Sequence, residues 1–374
     1  MIPLSRPDIG PAEKKAVRQV LESPFLSLGP KLKEFEEKFA SFASRKYAVG
    51  VNSGTSGLHL IIRALRIGKG DEVITTPFSF IASANCMLYE GAKPVFVDID
   101  ETTLNIDVSK IERKITKKTK AILAVDVFGY PANWKDLVSL AKAKKLKLIE
   151  DSAEAVGSTY QGKPCGSFGD AAIYSFYPNK QMTTGEGGVV LTNDRHIAEL
   201  VDSMRNQGRR VQGGAWLEHV RLGYNYRLPE IECALGIAQL KRLPEILKKR
   251  SAAAALYTKK LQHVPGIEPV PSFAQRMEKS WFVYVGLLSK EYTRKQRDKL
   301  ILLMARQGIQ CSSYFQTIHL QPFYREMFGY KPGSFPVAES VSERTIALPF
   351  FTNITEQQIE RVVRGLRASL QKVS

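Results

Sequence analysis

Between residues 72 and 191, short apolar runs alternate with stretches of helical periodicity, and this alternation restricts the fold more than any other feature of the chain. The runs at 72–76, 94–98, 121–125 and 146–149 are too short for helices and largely apolar, as strands covered on both faces must be. Residues 132–143 lie between two of them and repeat apolar side chains at the helical spacing of about 3.6. Strand, helix, strand in this order predicts βαβ units, hence an α/β three-layer sandwich around a mostly parallel sheet. A run at 189–191 ends the series. Residues 227–261 then read as one long helix with Pro229 near its start, and 281–288 as a strand of a new unit. We expect a larger domain over 1–245 and a smaller C-terminal α+β domain over 246–374.

Composition agrees with such a division. A chain of 374 residues, 44% hydrophobic and 24% charged, has enough apolar mass for one large core and a second smaller one. The first residues lack the basic-then-apolar pattern of a secretory signal, and no apolar run approaches the roughly 18 residues of a membrane span. The cytoplasm is therefore the expected compartment, with no membrane partner. Cys86, Cys165, Cys233 and Cys311 lie far apart, without a CxxC or Cys/His cluster, and predict free thiols and no metal site.

The net charge of +17 calls for a cause. Lysine runs at 110–120 and 142–147 flank predicted strands, lack interleaved aromatics and match no nucleic-acid motif. They read as a solvated face, or as a basic mouth that attracts a phosphorylated substrate. Nucleic acid is not expected as a partner.

Ligands of open α/β sheets sit beyond the carboxyl ends of the strands, so the residues that follow the apolar runs matter most. Asp151, just past the run at 146–149, is either an acid aimed into that crevice or a helix cap. Asn52-Ser-Gly-Thr-Ser-Gly-Leu-His59 is a hydroxyl-rich turn opening a helical pattern. Its free amides, with the Thr55 and Ser56 hydroxyls, suit a phosphate, although capping alone also accounts for them. Phe80 follows a strand and turn; it offers a flat face to an aromatic ligand or joins the core. Lys180 stands in Tyr174-Ser-Phe-Tyr-Pro-Asn-Lys-Gln-Met-Thr-Thr-Gly-Glu-Gly-Gly188, between a turn-forming Pro178-Asn179 and a glycine-rich return, a setting for an aldehyde-binding amine. Among 54 Lys and Arg it decides nothing alone. Together, an amine, a strand-end acid, a phosphate-friendly helix start and an aromatic plate meet the needs of pyridoxal phosphate.

The stretch Ser-Phe-x-x-x-Lys-x-x-Thr-Thr-Gly-Glu-Gly-Gly resembles the central motif of the DegT-type nucleotide-sugar aminotransferases, within the fold-type-I pyridoxal phosphate enzymes. The resemblance runs from Ile2-Pro-Leu-Ser-Arg-Pro to Ala347-Leu-Pro349 and the final helix. It implies Lys180 as Schiff-base lysine and proton shuttle, Asp151 as partner of the pyridine nitrogen, and Phe80 as the ring stacked on the cofactor. Gly54, Thr55, Ser56 and Ser175 would hold its phosphate. It also implies a homodimer with shared active sites, in which Gly223-Tyr-Asn-Tyr-Arg227 reaches into the neighbouring site, Asn225 to the phosphate and Arg227 to the substrate.

Three positions depart from the family pattern. Glu154 stands where many relatives have glutamine or histidine near the cofactor's phenolic oxygen, which an ionised carboxylate would repel. Asp126 replaces a common histidine, with substrate contact as its implied role, and Thr317 stands where proline often precedes Ile-His-Leu-Gln-Pro. His319 resembles a family histidine near the sugar-nucleotide site. The implied reaction moves the amino group of L-glutamate, through pyridoxamine phosphate, to an NDP-linked keto-deoxysugar, a 4-keto-6-deoxyhexose first among acceptors, with a product used in surface polysaccharide. Two rivals remain: a dehydratase, whose known forms replace the lysine by histidine, and a non-catalytic regulator that binds nucleic acid.

Overall fold

The computed structural model describes residues 1–210, 215, 217–270 and 277–373. Seven strands, β1 (Tyr47–Val51), β2 (Glu72–Thr75), β3 (Lys93–Phe96), β4 (Thr119–Val125), β5 (Lys147–Asp151), β6 (Ala171–Ser175) and β7 (Gly188–Thr192), build one sheet in the order β1-β7-β6-β5-β4-β2-β3. From β6 to β3 all neighbours are parallel; β7 runs antiparallel to both β6 and β1. The expected α/β sandwich is present, and its physical reason is visible along β6 and β7. Ile173 and Val190 enter one core with Leu58 and Ile61 of the helix Gly54–Ala64. Ala172, Tyr174, Val189 and Leu191 enter the opposite core with Phe35 and Phe39 of the helix Pro30–Phe42. Successive side chains alternate faces, and both faces are covered.

A second, antiparallel sheet joins β8 (Ile267–Pro269), β9 (Tyr284–Leu288) and β10 (Thr345–Leu348). The helices Arg294–Arg306 and Glu356–Leu370 close its core through Leu300, Met304, Val362 and Leu366. The long helix runs from Glu230 to Leu261, starting after Pro229, so residue 245 falls inside it. Cys233 and Leu243 pack in the core under the large sheet, and Ala254, Tyr257 and Leu261 in the second. Ile2 also joins the second core and pairs with Ile309. The two cores thus share one helix and exchange the N-terminal segment.

Strand limits shift where side chains rather than hydrogen bonds guided the expectation. The strand expected at 146–149 continues to Asp151, and the one expected at 281–288 begins at Tyr284. The four cysteines are free, and among the described residues no helix is long and apolar enough to cross a membrane.

Candidate active site

Because β1, β2, β4, β5 and β6 run in one direction and β7 returns against them, the loops after residues 51, 75, 125, 151 and 175 gather at one edge with the start of β7. Asp151 is the last residue of β5 and is buried. Its Oδ2 accepts the Ser83 hydroxyl at 2.7 Å and its Oδ1 the Ala153 amide at 3.2 Å. Ser79 supports Ser83, oxygen to oxygen, at 2.9 Å.

Lys180 lies in the loop between β6 and β7, which is fastened at several points. The Lys180 amide donates to the Tyr177 carbonyl, Thr183 Oγ1 to the Phe176 carbonyl at 2.8 Å, and Gln181 Nε2 to the Glu154 carbonyl at 2.5 Å. The Lys180 side chain is only 12% exposed, and its Nζ lies 3.7 Å from Glu154 Oε1. The Phe282 ring covers it, centroid 4.1 Å from Nζ.

Glu154 Oε2 accepts the amide of Phe128, which sits in the left-handed region at φ 56, at 2.8 Å. A non-glycine residue held there at a site edge is strain that the surrounding packing must sustain.

Burial sets the electrostatics. It pulls the Lys180 ammonium below the ordinary lysine value, against the attraction of Glu154 and Asp151. It pushes the Asp151 carboxyl up, opposed by Ser83, Ala153 and Lys180, and the Glu154 carboxyl up, opposed chiefly by Lys180. A lysine biased toward its neutral amine is a competent nucleophile and base. Tyr314 borders the same space; burial raises its phenol, opposed by the Asn179 amide. Among the described residues, Asn179 Oδ1 and Gln181 Oε1, flanking Lys180, are buried without a hydrogen-bond partner. Such atoms call for one.

The helix Gly54–Ala64 points its N-terminus at this edge, capped by Ser53, which accepts the Ser56 amide. A Cβ on Gly54 would sit 2.9 Å from the Ser175 Cβ, and one on Gly188 2.8 Å from the Ser53 carbonyl carbon, so only glycines let the helix start reach β6 and β7. The Ser56 hydroxyl already donates to Asn52 Oδ1 at 2.6 Å. That engages Ser56 in shaping the turn, while Thr55 and Ser175 border the opening beside it.

Phe80, after β2, keeps 60% of its surface exposed, a large apolar ring held open beside the crevice. These groups fit pyridoxal phosphate. Gly54, Thr55 and Ser175 would hold the phosphate, Asp151 the pyridine nitrogen, Phe80 the ring face, and Lys180 would bond the aldehyde.

Other expected residues are not gathered there. Asp126 is buried at 0% exposure, and its oxygens accept the Ala132 amide at 2.8 Å, the Trp134 indole at 2.9 Å and the Ser152 hydroxyl at 2.6 Å. Protein donors fill the carboxylate, so its expected substrate contact gives way to a structural role. His319 is likewise fully buried, 3.0 Å from Glu339 and edge-on to Phe335, away from any open surface. Asn225 is exposed, and Arg227 donates to Asn206 at 3.2 Å; within one chain no hydrogen bond or ion pair among the described residues joins either to Lys180. Ser83, Phe282 and Tyr314 are site neighbours that the sequence does not single out. Phe282 alone carried a signal, lying in an expected strand.

A buried amine poised against two carboxylates, below a glycine-made anion cradle, defines a pyridoxal-phosphate-dependent transferase. Comparison with known proteins sharpens this class. The model of the DegT/DnrJ/EryC1/StrS aminotransferase family matches residues 7–367, and the chain belongs to that family. It is 37% identical to the GDP-perosamine synthase of Escherichia coli O157:H7 over 359 residues, 96% of this chain and 95% of the relative. Among solved structures it resembles Helicobacter pylori PseC, an aminotransferase involved in the biosynthesis of pseudoaminic acid, with 31% identity, 99% of each chain covered and a TM-score of 0.94. The PMP form of a putative sugar aminotransferase from Streptococcus pneumoniae, 28% identical over the whole of both chains, also gives a TM-score of 0.94. The chain is a pyridoxal-phosphate-dependent sugar aminotransferase by family.

Proposed function

We propose that this chain transfers the amino group of L-glutamate to a ketone carbon of an NDP-linked keto-deoxysugar, with a 4-keto-6-deoxyhexose as the first candidate. The buried Lys180 amine, 3.7 Å from Glu154 and drawn on electrostatically by Asp151, in an intact motif, carries the reading. Pyridoxal phosphate, when bound, supplies the electron sink and carries the amino group between the two half-reactions as pyridoxamine phosphate. The chain's own groups do the rest. Lys180 Nζ, partly desolvated, takes a proton at one carbon and returns it at another. Asp151, kept in place by Ser83, holds positive charge on the pyridine nitrogen. The Gly54–Ala64 helix start and Ser175 bind phosphate, and Phe80 and Phe282 exclude water.

The same reading includes a cytoplasmic homodimer with shared active sites. Asn225 stands exposed, on a segment tied to the helix start by the Asn52 amide donating to the Tyr226 carbonyl. Phe25, Leu26, Leu28 and Leu222 are large exposed apolar side chains, suited to a subunit contact that delivers Asn225 and Arg227 to a neighbour. It also keeps 1–245 as the cofactor-binding unit and 246–374 as the unit that brings Phe282 and Tyr314 over it. The lysine at position 180 weighs against a dehydratase.

To test this, the cofactor-loaded protein is incubated with L-glutamate and a panel of NDP-keto-sugars while 2-oxoglutarate and aminated sugar are followed. Equal amounts of both, abolished by Lys180→Ala in a protein that still folds, are expected. Formation of 2-oxoglutarate with no aminated sugar from any 4-keto-6-deoxyhexose would reject the acceptor proposed.

A further inference from the structure

The segment that carries Asn225 is fixed along both edges. Tyr224 donates its amide to the Met204 carbonyl at 2.6 Å, and its carbonyl accepts the Gln207 amide at 2.9 Å. Tyr226 donates to the Arg205 carbonyl at 2.9 Å, and its carbonyl accepts the Asn52 amide at 3.0 Å. Asn225 pairs with Asn206 in an antiparallel bridge. In chain extended this way, successive side chains point to opposite sides. The rings of Tyr224 and Tyr226 accordingly lie together, centroids 4.9 Å apart and 10° from parallel, while Asn225 between them faces away and is exposed.

A buried carboxylate holds the tyrosine pair. His59, in the helix Gly54–Ala64, sets its ring centroid 4.8 Å from that of Tyr224 and 5.9 Å from that of Tyr226, with its Nδ1 3.3 Å from the Tyr226 hydroxyl. Its Nε2 lies 2.7 Å from Glu90 Oε1, which also accepts the Tyr224 hydroxyl at 3.3 Å. Arg63, one turn after His59 on the same helix, donates to Glu90 Oε2 at 2.7 Å and stands over the Tyr224 ring, Cζ 5.7 Å from its centroid. The Glu90 side chain is only 14% exposed. Charge-assisted hydrogen bonds to so buried a group fix geometry that a screened surface pair does not. The helix that bears His59 and Arg63 also starts the anion cradle, so it both shapes its own subunit's site and braces the arm that leaves it.

We propose that Glu90 is a positioning residue for the neighbouring subunit: held by Arg63, it fixes His59 and the tyrosine pair, and the pair fixes the direction in which Asn225 leaves the chain toward the neighbour's cofactor phosphate. The inference rests on the reading in which Asn225 serves a neighbouring site. Without Glu90 the tyrosine pair loses its hydroxyl anchor, and Asn225 samples directions that miss the phosphate. A ligand that has no phosphate loses nothing.

The test titrates the cofactor-free protein with pyridoxal phosphate and with pyridoxal, following the absorbance of the Lys180-bound form. Asn225→Ala and Glu90→Ala are each expected to weaken binding of pyridoxal phosphate about tenfold and to leave pyridoxal binding unchanged. Together they should be no worse than either alone, because both act through one contact.

Mixed dimers assign the direction. With Glu90→Ala and Lys180→Ala on one chain and the other chain intact, the remaining Lys180 site receives Asn225 from the altered chain and binds pyridoxal phosphate about tenfold more weakly. With the two substitutions on different chains, the remaining Lys180 lies on the Glu90→Ala chain, receives Asn225 from a chain whose Glu90 is intact, and binds like the parent. The reverse pattern would mean that Glu90 acts on its own subunit's cradle through the helix Gly54–Ala64, and it overturns the proposal. Weakening by Asn225→Ala without weakening by Glu90→Ala also overturns it and leaves the shared site standing. An inert Asn225→Ala refutes the shared site and the proposal with it. Should Glu90→Ala not fold, Tyr224→Phe combined with Tyr226→Phe takes its place: both rings stay, both hydroxyls go, and unchanged affinity for pyridoxal phosphate overturns the proposal.

Discussion

Ser83 donates its hydroxyl hydrogen to Asp151 at 2.7 Å, joining the helix Ala82–Leu88 to the end of β5. Burial raises the proton affinity of Asp151, and this hydrogen bond is the largest of the influences that oppose it. A carboxylate that must pair with a protonated pyridine has to stay ionised. Ser83→Ala removes a hydrogen bond to a charged group, worth about 1.5–3 kcal/mol. Cofactor affinity should fall about tenfold or more, and further at acid pH, in titrations of the cofactor-free protein followed by absorbance. Equal affinity in the two proteins across that range would show that Ser83 does not support the carboxylate.

Gly188 makes the anion cradle possible. An added Cβ would meet the Ser53 carbonyl carbon at 2.8 Å and the Gly54 amide nitrogen at 2.9 Å, backbone atoms that cannot rotate away. Gly188→Ala should therefore destabilise the fold by about 1–3 kcal/mol and weaken binding of pyridoxal phosphate more than binding of pyridoxal. Denaturant midpoints and the two affinities check this. A loss common to both ligands would place the damage outside the phosphate cradle.

Much of the large sheet can be read in the chain because its parallel strands are apolar on both faces. Residues 121–125 and 146–149 could scarcely be anything else. Tyr47–Val51 and Ala171–Ser175 escape that reading, since a glycine interrupts the first and two alanines open the second, diluting the strand signal. Lys180, Asp151 and the Ser53–Ser56 turn are legible because local chain chemistry makes them: a turn, a strand end, a cap.

Ser83 and Tyr314 are not legible, and Phe282 is marked only as part of an expected strand. They reach the site by packing between segments far apart in sequence, and nothing in the neighbourhoods of Ser83 and Tyr314 marks them. Asp126 and His319 show the converse, polar residues in suggestive stretches that lie buried against internal partners.

We propose that His319 acts as an internal strut. It has 0% exposure, sits between Glu339 and the Phe335 ring, and its Nδ1 lacks a partner among the described residues. Burial lowers its proton affinity, with Glu339 opposing. His319→Ala opens a cavity and removes a partner of Glu339, and should cost about 2 kcal/mol or more of stability. The KM for a sugar-nucleotide, measured well below the melting temperature, should stay within about twofold, since a change of 1.4 kcal/mol would already be tenfold. A KM raised tenfold at unchanged stability would return His319 to the substrate site.

Asp126 and Glu150 meet in the sheet interior, bridged by the Ser152 hydroxyl at 2.6 and 2.8 Å, with Cys165 close by. Burial raises the Asp126 carboxyl from 3.8 to about 6, and burial together with Asp126 raises Glu150 well above its ordinary value. The native state consequently binds more protons than the unfolded chain between about pH 4 and 6. Stability from this source is complete below the unfolded value and is lost as the pH rises through the folded one. An asparagine at position 126 keeps an oxygen for Ala132 and Trp134, cannot ionise, and lets the Ser152 hydroxyl turn to accept. Asp126→Asn should therefore flatten the decline in unfolding free energy between pH 4 and 7 by an amount on the order of 1 kcal/mol. Urea denaturation at several pH values measures the two slopes. Were the slopes to coincide, the proton held by the pair would reside on Glu150 throughout, and Glu150→Gln would be the variant that flattens the curve.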